Sequence, residues 1–249
     1  MGKTVGMMQP YLFPYLGYFQ LIAAVDVFVL GDTLQYIKQG WVNRNRILEN
    51  GRVQYLTLPL NRASYTAAIN ERVLADRFPL EMERMLKRIT FAYARAPFFK
   101  SVYPVLEEII TFPERNLAIH VENSIRTLCC YMEIDTPFLI SSHLCIEGEF
   151  TAESRVIETV RRVGGDVYIN PHGGMDLYHF DEFKRHGITL KFSRMNEVQY
   201  QQFDTRFEPS LSIIDVLMFN DIATVKTLLL NFSLQEEPIN VNTASLQFA

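Results

Sequence analysis

The chain has 249 residues and a net charge of −4, with 48% hydrophobic and 21% charged residues. This is the composition of a globular protein, and it excludes a disordered, collagen-like or low-complexity chain. Proteins that wrap duplex nucleic acid normally carry a basic excess, so the acidic balance argues against that class of partner. A chain of this length is near the upper limit for one hydrophobic core, and we expect one large domain.

Signals for export and membrane insertion are missing from the sequence. The apolar run at the N-terminus is too short for a signal peptide, and no stretch approaches the ~18 apolar residues of a spanning helix. The three cysteines include an adjacent pair, Cys129 and Cys130, and they fit neither a disulfide framework nor metal spacing. The five histidines do not have ligand spacing either, so no metal site is predicted. We expect a reduced, cytoplasmic protein without membrane insertion.

The first predicted elements are a strand, a helix and a strand. A short apolar run at residues 5–8 indicates a buried strand, helical spacing covers 15–25, and a second buried strand follows at 27–30. These elements together have the size of a βαβ unit. Residues 32–47 are polar, aromatic and irregular, and an extended pattern returns at 53–58.

The middle of the chain changes to helices. Apolar residues recur at helical spacing over 78–94, 98–111 and 116–132, and no strand is predicted between them. We interpret residues 78–133, approximately, as a helical insert or a cap over the sheet.

Strands and helices alternate again in the last part of the chain. The pattern predicts strands at 138–141, 167–170 and 188–192, and helices at 151–163, about 181–186, 213–219 and 221–230. This alternation predicts an α/β fold with a mainly parallel, Rossmann-like sheet. We expect a single domain over residues 1–233, helical insert included. Residues from 233 onward are unpatterned, and 234–249 are expected to form a polar tail.

Ligands of parallel sheets bind beyond the carboxyl ends of the strands, so polar residues at those ends are candidates. The first strand is followed by a loop and helix start that contain Gln9, Tyr11, Tyr15, Gly17 and Tyr18. The tyrosines offer stacking faces and hydroxyls, and a glycine at a helix start allows the close approach of an anion such as phosphate. An aromatic loop that only packs is the alternative interpretation.

The second strand is followed by the densest polar stretch of the chain. It contains Asp32, Gln35, Lys38, Trp41, Asn43, Arg44 and Arg46. Guanidinium forks bind phosphate and carboxamides bind hydroxyls, so this stretch suits phosphate and sugar recognition. A solvated loop with incidental charge is the alternative.

A third strand end carries Asn170, Gly173, Gly174 and Tyr178. The paired glycines suit a phosphate or carboxylate cradle, although a simple tight turn explains them as well. Neither a Gly-x-Gly-x-x-Gly fingerprint nor a Walker loop is present, so no NAD or P-loop ATP site is predicted.

The loops at the three strand ends should meet, because the carboxyl ends of parallel strands share one edge of the sheet. We therefore expect Gln9, Asp32 and Asn170 to line one pocket. Separate positions for these three residues would argue against a common active site.

With these motifs, the sequence resembles the WbqC-like family. The resemblance runs from about Val5 to Leu230 and rests on Gln9-Pro10-Tyr11, Gly17-Tyr18-Phe19, the segment Trp41–Arg46, Leu58-Pro59 and Asn170–Gly174. Members of that family occur among genes for O-antigen and related surface polysaccharides. The family has been proposed to attach glycine or another aminoacyl group to an amino sugar. The resemblance therefore implies an N-acyl- or aminoacyltransferase that acts on a nucleotide-linked amino sugar.

Two positions depart from the family pattern. Met8 stands where many relatives carry His, and Gly31 stands where many carry Asp. The first change removes an obvious general base, and the second removes half of a metal or ribose contact. If either residue is essential in relatives, this chain works differently.

Amide formation needs an activated donor, a deprotonated amine and stabilisation of the oxyanion. Under the implied function, the candidate catalytic residues are Asp32, Tyr11 and Tyr18, and either Asp32 or a tyrosine hydroxyl would take the proton of the amine. Lys38, Arg44 and Arg46 would hold the diphosphate. Trp41 or Tyr11 would stack on the base of the nucleotide. The carboxamides Asn43 and Asn170 would contact sugar hydroxyls or the oxyanion.

The donor is not identified by the sequence, which leaves coenzyme A, acyl-carrier protein, aminoacyl-tRNA and an ATP-derived adenylate open. The acidic balance disfavours tRNA, although Arg84, Lys87 and Arg88 give one predicted helix a small basic patch. A homodimer is also left open. The alternative function is a non-catalytic sugar-nucleotide-binding or scaffold protein of the same pathway, which the lack of a recognised nucleophile favours.

Overall fold

The computed structural model describes residues 2–203 and 206–236. Within them the strands are β1 (Thr4–Met8), β2 (Val27–Leu30), β3 (Arg44–Glu49), β4 (Arg52–Thr57), β5 (Phe138–Ile140), β6 (Val167–Pro171), β7 (Thr189–Met195) and β8 (Phe232–Gln235). The α-helices are α1 (Leu16–Ala23), α2 (Phe78–Tyr93), α3 (Phe99–Ile110), α4 (Leu117–Tyr131), α5 (Ala152–Arg162), α6 (Phe180–Arg185), α7 (Ile213–Phe219) and α8 (Ile222–Leu229). None of these described helices is long and apolar enough to cross a membrane.

Six of the described strands form one sheet in the order β5-β2-β1-β6-β7-β8. All neighbouring pairs are parallel except β7 and β8, which run antiparallel. The predicted α/β fold with a mainly parallel, Rossmann-like sheet is therefore confirmed.

The strand order reverses between β1 and β6. β2 follows β1 and α1 in the chain and lies on one side of β1. β7 follows β6 and α6 and lies on the opposite side of β6. The two helices also cover opposite faces, since Phe19 of α1 and Phe183 of α6 belong to different core clusters. Such a reversal opens a crevice at the carboxyl ends of the two central strands.

Successive side chains of β1 point to opposite faces of the sheet, so this strand contributes to the packing on both faces. Val5 and Met7 pack into the cluster beneath α5 and α6. Gly6 faces α1, where an added Cβ would lie 3.2 Å from Cδ2 of Phe28. The absence of a side chain at this position lets the helix layer pack closely against the centre of the sheet.

The excursion between β2 and β5 contains the three predicted helices, α2, α3 and α4, close to their expected limits. Their apolar residues Ile89, Leu106 and Ile125 share one buried cluster with Phe28 of the sheet. The insert is therefore packed on the α1 side of the sheet through a continuous core.

The excursion also contains the hairpin of β3 and β4, which the sequence analysis left irregular as far as residue 47. Asn50 and Gly51 connect the two strands with φ angles of 51° and 68°. Asn-Gly is a strong signal for a tight hairpin turn, because both residues tolerate positive φ. The polar residues of β3 conceal this strand from a reading based on apolar periodicity.

The expected limit of the polar tail is wrong at its start. Residues 232–235 form β8, which pairs with β7 in the register Phe192↔Gln235 to Met195↔Phe232. An edge strand is held by backbone hydrogen bonds and leaves polar side chains in solvent, so its composition gives little signal. The remainder of the predicted tail, residues 237–249, lies outside the described residues.

A buried carboxylate joins α7 to two other parts of the chain. The Asp215 carboxylate accepts hydrogen bonds from Tyr93 Oη at 2.9 Å, from Tyr200 Oη at 2.7 Å and from Gln202 Nε2 at 2.7 Å. Burial raises the pKa of Asp215, although the three hydrogen bonds oppose that shift. This cluster fixes the segment that precedes α7 against α2.

The raised pKa of Asp215 predicts a pH dependence of stability. Its folded-state pKa exceeds the unfolded value of about 3.9, so its stabilising contribution is full below that value and is lost as pH rises through the folded pKa. Asp215→Asn lacks this titration. We therefore expect the unfolding free energy of wild type, relative to Asp215→Asn, to fall as pH rises above about 4. Urea unfolding of both proteins at several pH values measures the difference, and a constant or rising difference would contradict the assignment.

Candidate functional site

A cleft of about 670 Å³ opens between the carboxyl ends of β1 and β6. We call it the switch-point cleft, because it lies where the strand order reverses. Its lining is mainly aromatic and apolar, and it includes Met8, Gln9, Tyr11, Tyr15, Ile37, Trp41, Arg155, Tyr168, Asn170, Gly173, Gly174 and Tyr178. Its volume is in the usual range for a small-molecule site.

Eight residues predicted from the sequence line this cleft: Gln9, Tyr11, Tyr15, Trp41, Asn170, Gly173, Gly174 and Tyr178. They come from the first, second and third strand ends. The expected convergence is therefore observed for Gln9 and Asn170, but it does not extend to Asp32.

Asp32 lines a neighbouring cavity of about 380 Å³, together with Asn70, Asn116 and Ser142. Its carboxylate accepts four hydrogen bonds, from Ser141 Oγ at 2.7 Å, from the N–H and Oγ of Ser142 at 2.9 and 2.7 Å, and from Asn70 Nδ2 at 3.2 Å. These donors hold the acid against the segment that follows β5. The expectation of one pocket is wrong for Asp32.

The loop after β1 is fixed by the loop after β2. The Leu12 N–H donates to the Trp41 carbonyl at 3.1 Å, and Asn45 Nδ2 donates to the Leu12 carbonyl at 3.0 Å. Tyr18 is fully buried, and its hydroxyl donates to the Gln9 carbonyl at 2.9 Å. Tyr18 does not line the cleft, so it supports the loop from below rather than facing a ligand.

The two arginines predicted to bind phosphate flank an aromatic stack instead. The Arg46 guanidinium lies 5.7 Å from the Trp41 ring centre, Trp41 stacks on Tyr55 at 6.4 Å, and the Arg44 guanidinium lies 4.5 Å from the Tyr55 ring centre. Arg46 also donates to the Ser210 carbonyl at 2.8 Å, and Arg44 donates to the Gln39 and Gly40 carbonyls. Both guanidinium groups thus pack on the aromatic rings of the wall that contains Trp41, and neither lines the cleft.

The remaining predicted residues of the first two strand ends lie around the cleft rather than in it. Asn43 is buried, donates to the Leu58 carbonyl and accepts from Tyr36, so its amide is used within the fold. Gln35 is exposed and donates to the Tyr65 carbonyl, while Lys38 is exposed between Ile37 and Trp41. Gly17 lines a smaller cavity at the start of α1.

Arg155 is a lining residue that the sequence analysis missed. It lies in the first turns of α5, with its guanidinium 5.3 Å from the Phe150 ring centre. No ion pair of Arg155 occurs within the described part of the chain. Helices of α/β folds begin at the carboxyl edge of the sheet, so a cation near the start of the predicted helix at 151–163 was the available signal.

Tyrosines are the main polar groups of the cleft. Burial raises the pKa of Tyr11, and the nearby Tyr15 adds to that shift; burial also raises the pKa values of Tyr15 and Tyr178. These hydroxyls stay protonated at neutral pH and serve as hydrogen-bond donors. Among the described residues, neither a carboxylate nor a histidine lines this cleft, and no cluster of three potential metal ligands occurs.

Asn170 is oriented by close packing at the end of β6. Its Oδ1 accepts from Tyr168 Oη at 3.0 Å, and its Nδ2 donates to the Pro171 carbonyl at 3.0 Å. An added Cβ at Gly174 would lie 2.3 Å from Asn170 Nδ2, whereas one at Gly173 would meet nothing within 4 Å. The missing side chain at Gly174 therefore leaves room for the Asn170 amide. At Gly173 the backbone is open to the cleft.

Alanine substitutions at these two glycines should differ in effect. Gly174→Ala forces the Asn170 amide or the 172–177 turn to move, and we expect a loss of about 1 to 3 kcal/mol in unfolding free energy. Gly173→Ala is the matched control, with an expected change within about 0.5 kcal/mol or a slight gain. Chemical unfolding of the two variants measures this. Equal effects at both positions would refute the packing role of Gly174.

Trp41 is the single tryptophan of the chain, so its fluorescence reports on this wall of the cleft. Arg46→Ala removes the guanidinium from the ring and should lower the emission anisotropy of Trp41 and shift its emission to the red. Arg52→Ala, on the same hairpin, is the control and should leave both unchanged. Emission identical to wild type in Arg46→Ala would argue that Arg46 does not position Trp41.

Comparison with known proteins agrees with the motifs of this site. The model of the WbqC-like protein family matches residues 9–227. The chain is 26% identical over 224 residues to a Mycobacterium tuberculosis (strain ATCC 25618 / H37Rv) protein described as "Uncharacterized protein Rv1507c", covering 88% of this chain and 94% of that one. No solved structure matches the chain. The family match includes all three strand-end loops, and the chain belongs to the WbqC-like protein family.

Proposed function

We propose that this protein is an N-acyl- or aminoacyltransferase, for example a glycyl transferase, that acts on a nucleotide-linked amino sugar in O-antigen or other surface-glycan biosynthesis. The observation that carries the proposal is the switch-point cleft, an aromatic-lined site of about 670 Å³ in which Arg155 is the one cation among the described lining residues. Family membership supports the sugar pathway, because the resemblance described above connects the family with surface-polysaccharide genes.

The lining suits a nucleotide sugar in size and chemistry. Trp41 is 39% exposed and offers a ring face for stacking on a base. Arg155 is the cation available for a phosphate, in place of the arginines that hold the Trp41 wall. The open backbone at Gly173 allows close approach of a ligand to the end of β6.

The chemistry proposed for the cleft depends on orientation and hydrogen-bond donation. In amide formation, the amine attacks the carbonyl carbon of an activated donor, the bond from that carbon to the leaving group breaks, and the amine proton passes to the departing group or to water. The hydroxyls of Tyr11 and Tyr178 line the cleft and remain protonated, so under this proposal they donate hydrogen bonds to the oxyanion. Asp32 is outside the proposed reaction, because it faces the neighbouring cavity and its carboxylate is already bonded.

Aminoacyl-tRNA is the donor that this proposal disfavours. The small basic patch on α2 is neutralised, because Arg84 pairs with Glu81, Lys87 with Glu83 and Arg88 with Glu49. Ion-paired cations release few counterions and add little to nucleic-acid binding. Small activated donors are therefore preferred over tRNA.

A second candidate function, a sugar-nucleotide-binding protein without catalysis, has one observation in its favour. The described lining of the switch-point cleft contains no carboxylate or histidine that could act as a general base. Binding by stacking and phosphate contacts needs no such group.

One experiment separates the two functions. Purified full-length protein is titrated with a UDP- or dTDP-linked amino sugar by Trp41 fluorescence and is then incubated with acyl and aminoacyl donors for mass spectrometry. We expect saturable binding and an N-acylated product. Arg155→Gln should weaken binding by about tenfold or more, and Arg161→Gln, an exposed arginine of the same helix paired with Glu158, is the control.

Two results would contradict parts of the proposal. Binding of the sugar nucleotide without product from any donor would reject the transferase function and support the non-catalytic binding protein. Absence of binding, or equal affinity of Arg155→Gln and wild type, would reject the switch-point cleft as the sugar-nucleotide site.

A further inference from the structure

A smaller cavity of about 100 Å³ adjoins the switch-point cleft, at the start of α1 and the carboxyl ends of β6 and β7. It shares Tyr15, Pro171 and Gly173 with the cleft. A single ligand can therefore extend from one space into the other.

Ser193 places an unused hydroxyl at this cavity. Its side chain is only 8% exposed, and it makes no hydrogen bond within the described residues. Ser193 lies near the carboxyl end of β7 and lines the cavity. The hydroxyl is not among the enclosed side-chain atoms of the described residues, so it is accessible from the cavity and free to bond a ligand atom.

Gln20 contributes a second unused group. It is 1% exposed, and its Nε2 donates to the Leu228 carbonyl at 2.8 Å and to the Asn231 carbonyl at 3.1 Å. Both amide hydrogens are thereby used, which leaves Oε1 as an acceptor without a partner in the described chain. Since Gln20 lines the cavity, this oxygen suits a ligand atom that carries a hydrogen.

A guanidinium group, an imidazole and a backbone donor complete the cavity. Arg194 and His172 line it, are exposed, and form no ion pair among the described residues. Gly17, in the first turn of α1, adds an N–H group that has no described backbone partner, at the positive end of the helix dipole. These donors favour an anion.

We propose that this cavity binds a phosphate group that retains an ionisable hydroxyl, that is, a phosphate monoester or a terminal phosphate. Arg194, Ser193 and the Gly17 N–H bind its oxygens, and Gln20 Oε1 accepts a hydrogen bond from its P–OH. The proposal rests on the proposed use of the switch-point cleft and specifies the donor substrate. ATP and coenzyme A carry such phosphates, whereas both phosphates of a sugar nucleotide are esterified.

The first test uses inorganic phosphate and sulfate at neutral pH, measured by calorimetry on the full-length protein. Sulfate has the same shape but no proton to give to Gln20, so we expect phosphate to bind about tenfold more tightly. Arg194→Gln and Ser193→Ala should each weaken phosphate binding by about tenfold. Arg62→Gln, an exposed arginine outside the cavity, should leave it unchanged. Equal affinity for both anions, or no phosphate binding by folded wild type, would overturn the proposal.

Competition at about pH 6, where a phosphate monoester or terminal phosphate retains its proton in part, then identifies the source of the phosphate. ATP or coenzyme A should displace bound inorganic phosphate, and UDP-N-acetylglucosamine should not. Displacement by UDP-N-acetylglucosamine alone would overturn the assignment to a monoester or terminal phosphate. Phosphate binding that persists while no amino sugar binds would leave this subsite standing and reject the proposed function, so the two failures are distinguishable.

Discussion

The site depends on the reversal of strand order between β1 and β6. In a parallel sheet built outward from its two central strands, the helices that follow these strands lie on opposite faces, and a crevice opens at the carboxyl ends of the two strands. The switch-point cleft and the smaller phosphate-sized cavity both open at this edge. Tyr15 and the turn after β6 separate the two spaces and contribute to both.

The walls of the cleft are rigid because the loops bond to one another. The Trp41 carbonyl and the Asn45 amide hold Leu12, and Tyr18 holds Gln9 from below. Several polar residues that the sequence predicts to bind a ligand instead form hydrogen bonds within the wall. Side chains buried in this way keep the lining aromatics in one geometry, which preorganises a site for binding.

Much of the fold and part of the candidate site could be predicted from the sequence. Apolar runs and helical spacing predict the parallel core, and the rule for strand ends predicts that Gln9 and Asn170 meet. The failures have physical causes. The roles of Asp32 and Arg46 depend on partners distant in the chain, Ser141 and Trp41 among them, which no local pattern reveals. Arg155 lies on an ordinary amphipathic helix, and only the position of that helix at the sheet edge distinguishes it.

The central claim is that ligands bind at the strand-order reversal and not at the polar cluster around Asp32. A crystal structure of the full-length protein with a UDP-linked amino sugar tests it most directly. The account predicts ligand density between the ends of β1 and β6, with the nucleotide base against Trp41 and a phosphate near Arg155. Density confined to the Asp32 cavity or to the β3–β4 hairpin would contradict the account.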